Sequence, residues 1–372
     1  MTRPLLLAGL LVAFAFNALA ADAHATAQAL LWAKRYDEAK RAYAALLARD
    51  ARDANARKGL ATAEYWSGDY RGALSDFERL LALRDDADAR KAVRDIRATM
   101  RPVIDAQTAY VSDEQPFHRA RIDARYTFFS DPLTTWTAIA GSYRGDVDAP
   151  FAGAGGESVV GRYRFGASLR LIRFGDDVAR ALGGASVARP LARGTLRLDL
   201  DRHELLDTLA AAATHATATT ISMSWQSAQS AAAIHRTMYF DRNSGVGADA
   251  WHLVPISENV QVGASVAYGD TDESRFVAGR YQPYWTPQQL VETRAIVAAS
   301  RPLGRATLHL HVDGGVAHDE LLGYGRTFHP WRLAADVTAP LARGYSVTAS
   351  AERQSTVFYR ANSFRIGISG RL

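Results

Sequence analysis

The feature that most constrains the fold is a two-residue alternation of apolar and polar side chains in the segment Ser363–Leu372. Phe364, Ile366 and Ile368 share one parity, whereas Arg365 occupies the other. Successive side chains of a β-strand point to opposite faces, so this segment would have one apolar and one polar face. The pattern therefore predicts a strand that lies between an apolar and an aqueous environment.

The same alternation recurs along residues 101–372. In an early segment, Ile122 and Tyr126 alternate with Arg121 and Arg125, and similar patterns occupy residues 159–171, 196–201, 259–268 and 308–313. No apolar run after residue 20 reaches the roughly 18–20 residues that a membrane-spanning helix needs. These strands predict a transmembrane antiparallel β-barrel with apolar side chains outside and polar side chains in the lumen. A soluble β-sandwich is the alternative.

The connections between these segments are of two kinds. Residues 190–194, 302–306 and 340–344 are near copies of one short proline-led turn, and residues 254–259 form a looser version. Longer polar stretches, such as residues 269–289, lie between them. Short turns at one end and long loops at the other are typical of outer-membrane barrels.

The strand count depends on two segments. Fifteen strand-like segments can be found, but termini on one side of the membrane require an even number. Without the weakest segment, Val103–Asp113, fourteen strands remain, and an additional strand near Ala154 would make sixteen. We expect an α+β multidomain chain, in which a short helical module precedes a barrel of about fourteen strands, alternatively sixteen.

The first twenty residues have the organisation of a secretory signal peptide. Arg3 provides the positive charge, the segment Leu5–Phe16 is apolar, and the sequence Ala18-Leu19-Ala20 matches a small-residue cleavage site. We expect cleavage after Ala20, with a retained N-terminal anchor as the alternative. The chain contains no cysteine, which excludes disulfides and thiolate metal sites.

Residues 21–100 contain an internal repeat. Tyr36, Ala39 and Tyr43 recur 34 residues later as Tyr70, Ala73 and Phe77, positions at which paired helices would pack. The segment Asp86–Met100 predicts a further amphipathic helix. These residues resemble the tetratricopeptide family, which implies a helical docking platform for a periplasmic protein or a passing polymer. Helices that only guard the mouth of the barrel are the alternative.

The inward parity of the predicted strands is rich in arginine. A positively charged arc of the lumen would favour anionic solutes, whereas pairing of the arginines with neighbouring carboxylates would only brace the wall. The predicted lumen-lining residues are Arg119, Arg121, Arg125, Arg162, Arg164, Arg170, Arg197, His309, His311 and Asp313.

No catalytic or cofactor motif is present. His309 and His311 have a spacing that can bind a metal, but Asp313 is the only further ligand nearby, so no metal site is predicted. The sequence contains no nucleophile elbow, zinc-protease or phosphate-loop motif, so we expect neither an enzyme nor a cofactor. All four lysines lie in the first hundred residues, and no lysine-rich tract indicates binding to nucleic acid.

One loop is rich in aromatic residues. Tyr281, Tyr284 and Trp285 lie in the run Y-Q-P-Y-W-T-P-Q-Q and could contact a sugar, although aromatic residues also form interfacial girdles and packed loops. The run resembles one found before a late strand in outer-membrane polysaccharide exporters, in which periplasmic tetratricopeptide repeats precede a barrel. The smaller YaiO-type barrels have a similar architecture.

That resemblance implies a place and a function. It implies the outer membrane of a Gram-negative bacterium, a repeat module in the periplasm, and passage or export of a polysaccharide or an anionic solute. The implied partners are outer-membrane lipid, the barrel assembly machinery and a periplasmic protein. The alternative is a docking protein with a plugged barrel. We also expect the segment Ser363–Leu372 to pair with the first strand and close the barrel.

Overall fold

The computed structural model describes residues 23–114, 117–175, 177–206, 208–277, 280–281, 284–321, 323–341, 344–356 and 360–372. The predicted signal peptide and its cleavage after Ala20 lie outside these residues. The described residues form two compact units, one within residues 1–101 with 129–133 and one within residues 102–128 with 134–372.

The first unit is helical. Its helices are α1 (23–32), α2 (Tyr36–Arg49), α3 (Ala54–Ser67), α4 (Tyr70–Leu83) and α5 (Ala87–Thr99). Asp53 caps α3 by accepting hydrogen bonds from the backbone N–H groups of Asn55 and Ala56, each at 2.9 Å. Gly68 ends α3 in the left-handed region, with φ of 84°. None of the helices among the described residues is long and apolar enough to cross a membrane.

Two apolar clusters hold these helices together, one around α1–α3 and one around α3–α5. Tyr36 packs at the edge of the first cluster. Tyr70, predicted as a packing residue, is instead exposed, and its ring contacts that of Tyr65 with centroids 5.5 Å apart. It is the first residue of α4, so its side chain lies over the preceding turn. The predicted packing residues that are buried are Ala39, Tyr43, Ala73 and Phe77.

The second unit is a closed antiparallel barrel. Its strands are β1 (Val103–Asp113), β2 (His118–Asp131), β3 (Thr134–Gly145), β4 (Ala149–Val160), β5 (Tyr163–Arg173), β6 (Ala179–Leu191), β7 (Gly194–Glu204), β8 (Thr217–Gln226), β9 (Ser230–Tyr239), β10 (Ser244–Pro255), β11 (Val260–Thr271), β12 (Phe276–Val277), β13 (Arg280–Tyr281), β14 (Leu290–Leu303), β15 (Ala306–Leu321), β16 (Tyr324–Phe328), β17 (Trp331–Pro340), β18 (Tyr345–Ser355) and β19 (Arg360–Arg371). The short helix α6 (Leu209–Ala213) lies between β7 and β8, and among the described residues β12 and β13 pair only with each other.

Closure occurs at β1. This strand pairs with β2, where Val103 lies opposite Thr127, and with β19, where Val103 lies opposite Arg371. The predicted role of the last segment in closing the barrel is therefore confirmed. In the described part of the chain, the main sheet contains seventeen strands, of which β16 pairs only with the end of β15, so sixteen strands form the wall. A single closed sheet excludes the β-sandwich.

The prediction of fourteen strands is wrong, and sixteen is correct. Both uncertain segments are strands: Val103–Asp113 is β1, and Ala154 lies within β4. The alternation in β4 is hidden because glycine occupies lumen-facing positions. A Cβ atom on Gly153 would lie 2.8 Å from the Cα of Arg170, so the small residue permits close approach of β5.

The two ends of the barrel differ. At the end where β1 begins, here called the turn end, β4 and β5 are separated by residues 161–162, and β14 and β15 by residues 304–305. Gly304 has φ of 65°, which suits such a tight turn. At the other end, here called the loop end, residues 205–216 and 272–289 form the longer connections.

The faces of the wall have opposite character. The hydroxyl of Tyr143 on β3 donates to Glu204 Oε1 near the end of β7 at 2.7 Å, and a contact between strands so far apart must cross the interior. On the other parity, Ile122, Leu169 and Ile366 are exposed. The barrel is therefore apolar outside and polar inside, as a membrane requires.

Candidate transport lumen

A charged cluster braces the lumen wall at β1 and β2. Asp123 is buried between two arginines of its own strand, with Arg121 Nε at 2.7 Å and Arg125 Nε at 3.6 Å from its carboxylate oxygens. Gln107 of β1 donates to the same carboxylate at 3.1 Å. Of the two alternatives for the lumen arginines, pairing with neighbouring carboxylates is therefore the one found in this part of the wall. This pairing lowers the local positive charge.

Nearer the loop end, arginines lie over aromatic rings. The guanidinium carbons of Arg121 and Arg170 are 5.1 Å and 5.2 Å from the ring centroid of Phe151. Arg170 also pairs with Glu204, and Arg119 donates to the carbonyl oxygen of Leu206. Contacts of this kind hold cationic side chains in place along an interior wall.

An apolar cluster lies beside these arginines at the loop end. Its members come from β3–β6 and from the connections that follow β1, β3, β5 and β7, so several loops contribute to one interior core. Leu206 brings the connection between β7 and β8 into this core. The buried residues of the cluster are Phe117, Tyr143, Val147, Ala149, Phe151, Ile172, Phe174, Leu182 and Leu206.

A second ionic network lies on the lumen face of β14, β15 and β17. The side chain of Asp313 is 2 % exposed. Its carboxylate accepts from Arg294 Nη1 and from Arg332 Nε, each at 2.7 Å, and lies 2.8 Å from His311 Nε2. His311 therefore belongs to an ion-pair network, whereas His309 is exposed on the same strand. In the part of the chain that the structure describes, no group of three acidic, histidine or cysteine side chains could hold a metal.

The lumen wall from β2 to β7 is lined by hydroxyl groups and glycines. It surrounds a concavity of 620 Å³, in which Arg197 Nε pairs with Asp199 Oδ1 at 2.8 Å. Arg164 lies 3.9 Å from Glu157. The small and polar residues that line this concavity include Thr127, Thr135, Thr137, Gly155, Gly166, Ser168, Gly184 and Ser186.

Periodicity does not give the correct position of two side chains at strand ends. Arg162, predicted to line the lumen, lies in the turn between β4 and β5, where Gly161 has φ of 61° and interrupts the alternation. Glu204 shares the outward parity of Leu198 and Leu200, yet its carboxylate contacts Arg170 inside the barrel. The chain leaves the wall after this residue, so parity no longer determines where its side chain points.

The aromatic loop is held by packing. Tyr284 is 3 % exposed, and its ring stacks on that of Tyr239 with centroids 3.9 Å apart. Its hydroxyl donates to Asp241 at 2.7 Å, and burial together with this bond raises the pKa of Tyr284. Tyr284 thus anchors the loop and has no free face for a sugar. Trp285 is exposed, and the Tyr281 side chain lies outside the described structure.

The helical unit contains a groove of its own, with a volume of 790 Å³. Trp32 is 67 % exposed there, and its ring lies 5.5 Å from that of Trp66. Polar side chains, among them Gln28, Asn55 and Lys58, complete the lining. Exposed tryptophans beside amide and charged groups provide the apolar and hydrogen-bonding contacts that sugars and peptides require.

The fold is that of an outer-membrane β-barrel, and one solved structure agrees with this description. A structure described as "Bacterial polysaccharide outer membrane secretin" superimposes with a TM-score of 0.58 at 14% identity, over 73% of this chain and 99% of that one. Pseudomonas aeruginosa OccK5 (OpdH) gives 0.41 at 8% identity, covering 73% and 97%, and a Rh. blastica porin mutant gives 0.40 at 12%, covering 73% and 100%.

Neither a protein-family model nor a curated protein matches the chain. At 14% identity, the polysaccharide secretin establishes the likeness of the barrel fold alone.

Proposed function

We propose that this protein is a non-enzymatic outer-membrane channel that passes a polysaccharide chain. The observation that carries the proposal is the concavity between β2 and β7, where hydroxyl groups, glycines and the Arg197–Asp199 pair line 620 Å³ of lumen. Hydroxyls and paired charges can exchange hydrogen bonds with a passing sugar chain, and glycines let it approach the backbone.

The substrate class follows from the charge of that wall. On β2, β5 and β7, Arg121 pairs with Asp123, Arg170 with Glu204 and Arg197 with Asp199. Because the charges are largely compensated, the proposal favours a polysaccharide of low net charge over a strongly anionic solute. The likeness to a barrel described as a polysaccharide secretin agrees with this choice.

In this proposal, the helical unit lies in the periplasm of a Gram-negative bacterium, and its groove receives either the polymer or a protein that delivers it. Trp32 and Trp66 supply the stacking surfaces. The barrel assembly machinery would insert the chain, using its last strand. No cofactor is required for such a passage.

Recording from the purified chain in a planar bilayer tests the proposal. We expect the chain to conduct ions. Neutral oligosaccharides added at the turn end should block this conductance more strongly than uronic-acid oligosaccharides do. Thr137→Trp and Ser186→Trp would fill the concavity and lower both conductance and block, whereas Thr338→Trp, on the lumen face of β17, serves as the control. Absence of conductance, even after removal of residues 21–100, would rule out a channel.

A docking protein with a plugged barrel is the second candidate, and the apolar cluster at the loop end favours it. Leu206→Ser should loosen that cluster. Under the channel proposal, this change raises the ion conductance. Under the docking proposal, the barrel is plugged along its whole length and the variant shows no conductance. A periplasmic partner that is captured by the intact chain and lost in Trp66→Ala would then support docking.

A further inference from the structure

The lipid-facing wall is indented at the seam where the barrel closes. A groove of 710 Å³ crosses β19, β1, β2 and β3 on the outer side. Its floor contains Ala106, Ala124 and Ala140, and its sides include Ile122 and Ile366. The isoleucines are exposed and share the outward parity of their strands, so the groove opens to the membrane and not to the lumen.

The groove ends at a cation. Arg144 lines it and lies one residue before the loop-end terminus of β3. Its Nη1 atom donates to both carboxylate oxygens of Asp148, at 2.8 Å and 2.9 Å. Both side chains are more than half exposed, at 59 % and 57 %, and an exposed pair of this kind is readily exchanged for another anion.

The position of the groove limits what can occupy it. Water does not fill an apolar depression that faces hydrocarbon, and the large apolar side chains beside it leave its floor recessed. A chain of CH₂ groups fits such a site, and its headgroup would then lie at the membrane surface. Tyr110 and Phe364, opposite each other in β1 and β19, mark that level on the same side of the barrel.

We propose that this groove binds one acyl chain of an anionic phospholipid, and that Arg144 binds the phosphate of the same molecule. The site covers the seam at which β19 meets β1, so an ordered lipid would also shield the last pairing made on closure. The proposal requires the barrel to lie in a membrane, but it does not depend on what passes through the lumen.

The chain provides a close control for the cation. Arg173, at the end of β5, forms an analogous pair with Asp177 four residues later and is similarly exposed, at 63 %. It faces outward at the same end but does not line the groove. For the floor, Ala232 and Ala295 are alanines that face outward on β9 and β14, away from the seam.

Native mass spectrometry of the full chain tests the proposal. The protein is purified in a neutral detergent with equal amounts of phosphatidylglycerol and phosphatidylcholine. We expect one retained lipid, mainly phosphatidylglycerol, because the choline group of phosphatidylcholine neutralises the charge of its own phosphate. The variant Ala124→Leu/Ala140→Leu should retain about tenfold less, because the added side chains occupy the space of the acyl chain. Arg144→Gln should keep a lipid but lose about fivefold in preference for phosphatidylglycerol.

The controls Ala232→Leu/Ala295→Leu and Arg173→Gln should behave as the wild-type protein does. Unchanged retention in the groove variant, or an equal loss in Arg144→Gln and Arg173→Gln, would overturn the proposal. A lipid-free dimer that separates in the groove variant would also overturn it, since a second copy would then be the occupant. If the groove variant does not insert, the comparison of the two arginine variants still decides the headgroup assignment.

Discussion

The helical unit and the barrel use the same residue types in opposite ways. In the helices, apolar side chains such as Phe77 and Leu80 are buried against neighbouring helices, and charged side chains face water. In the barrel, Ile122 and Leu169 face outward, whereas Asp123 and Asp313 are buried in the wall. The difference shows that the medium around each unit decides which side chains are buried. Apolar side chains are buried where water surrounds the unit, and polar side chains are buried in the barrel, which has hydrocarbon outside.

The largest effect that this comparison predicts is in the helical core. Phe77→Ala should destabilise the helical unit by about 3–5 kcal/mol, because it removes a buried ring and leaves a cavity. Hydrogen exchange of α4 and α5 peptides in the full chain measures the change. Leu83→Ala, an exposed site on the same helix, is the control, and an equal effect of both variants would contradict a core around Phe77.

A polar change on the outer face of the barrel should come next. Leu198→Arg places a cation on the lipid-facing side of β7 and should cost about 2–4 kcal/mol near the membrane centre. Ser222→Arg, on the lumen face of β8 opposite Asp199, should cost little. The temperature at which the folded barrel changes its mobility in gel electrophoresis compares the stabilities of the two variants. A larger loss of stability in Ser222→Arg than in Leu198→Arg would contradict our assignment of the faces.

A smaller effect is expected inside the lumen. Asp313→Asn weakens the charge-assisted bonds from Arg294 and Arg332 and should lower barrel stability by about 2 kcal/mol. The change also leaves these arginines less compensated, so selectivity in bilayer recordings should shift toward anions. Asp336→Asn, on the lumen face of β17, controls for loss of a negative charge alone. An identical response of both variants would contradict a specific network at Asp313.

The smallest effect depends on pH and belongs to the helical unit. Burial, with the nearby charges of Asp76 and Asp69, raises the pKa of Glu64 to about 7. Because the folded state holds the proton more tightly than the unfolded chain, stability decreases as pH rises from the unfolded pKa toward 7. The loss should be about 1–2 kcal/mol after allowance for partial exposure.

Glu64→Gln should remove this pH dependence. The variant and the wild-type protein should match at pH 5, and the variant should be more stable at pH 8, when hydrogen exchange of α3 and α4 is measured in the full chain. Glu78→Gln, on the exposed side of α4, is the control. If stability changed with pH equally in the wild-type protein and in both variants, Glu64 would ionise as freely as a surface carboxylate.

The sequence by itself determined the type of fold and the faces of most strands. A two-residue period is a local property, so the parity of Ile122 and Arg121 follows from the segment alone, and the outcome agrees where the strands are regular. The helical segment and its boundary with the barrel near residue 100 could also be predicted from the sequence, because helices and strands have different periods of apolar residues.

Only the tertiary structure decided how many strands close the barrel, which charges pair and where the wall is indented. Strand β4 became recognisable through its pairing with β5, where glycines face Arg170 and Ser168. Glu204 turned inward because the chain leaves the wall there, and the seam groove exists because β19 returns beside β1. Each of these depends on residues far apart in the chain, which no local period can bring together.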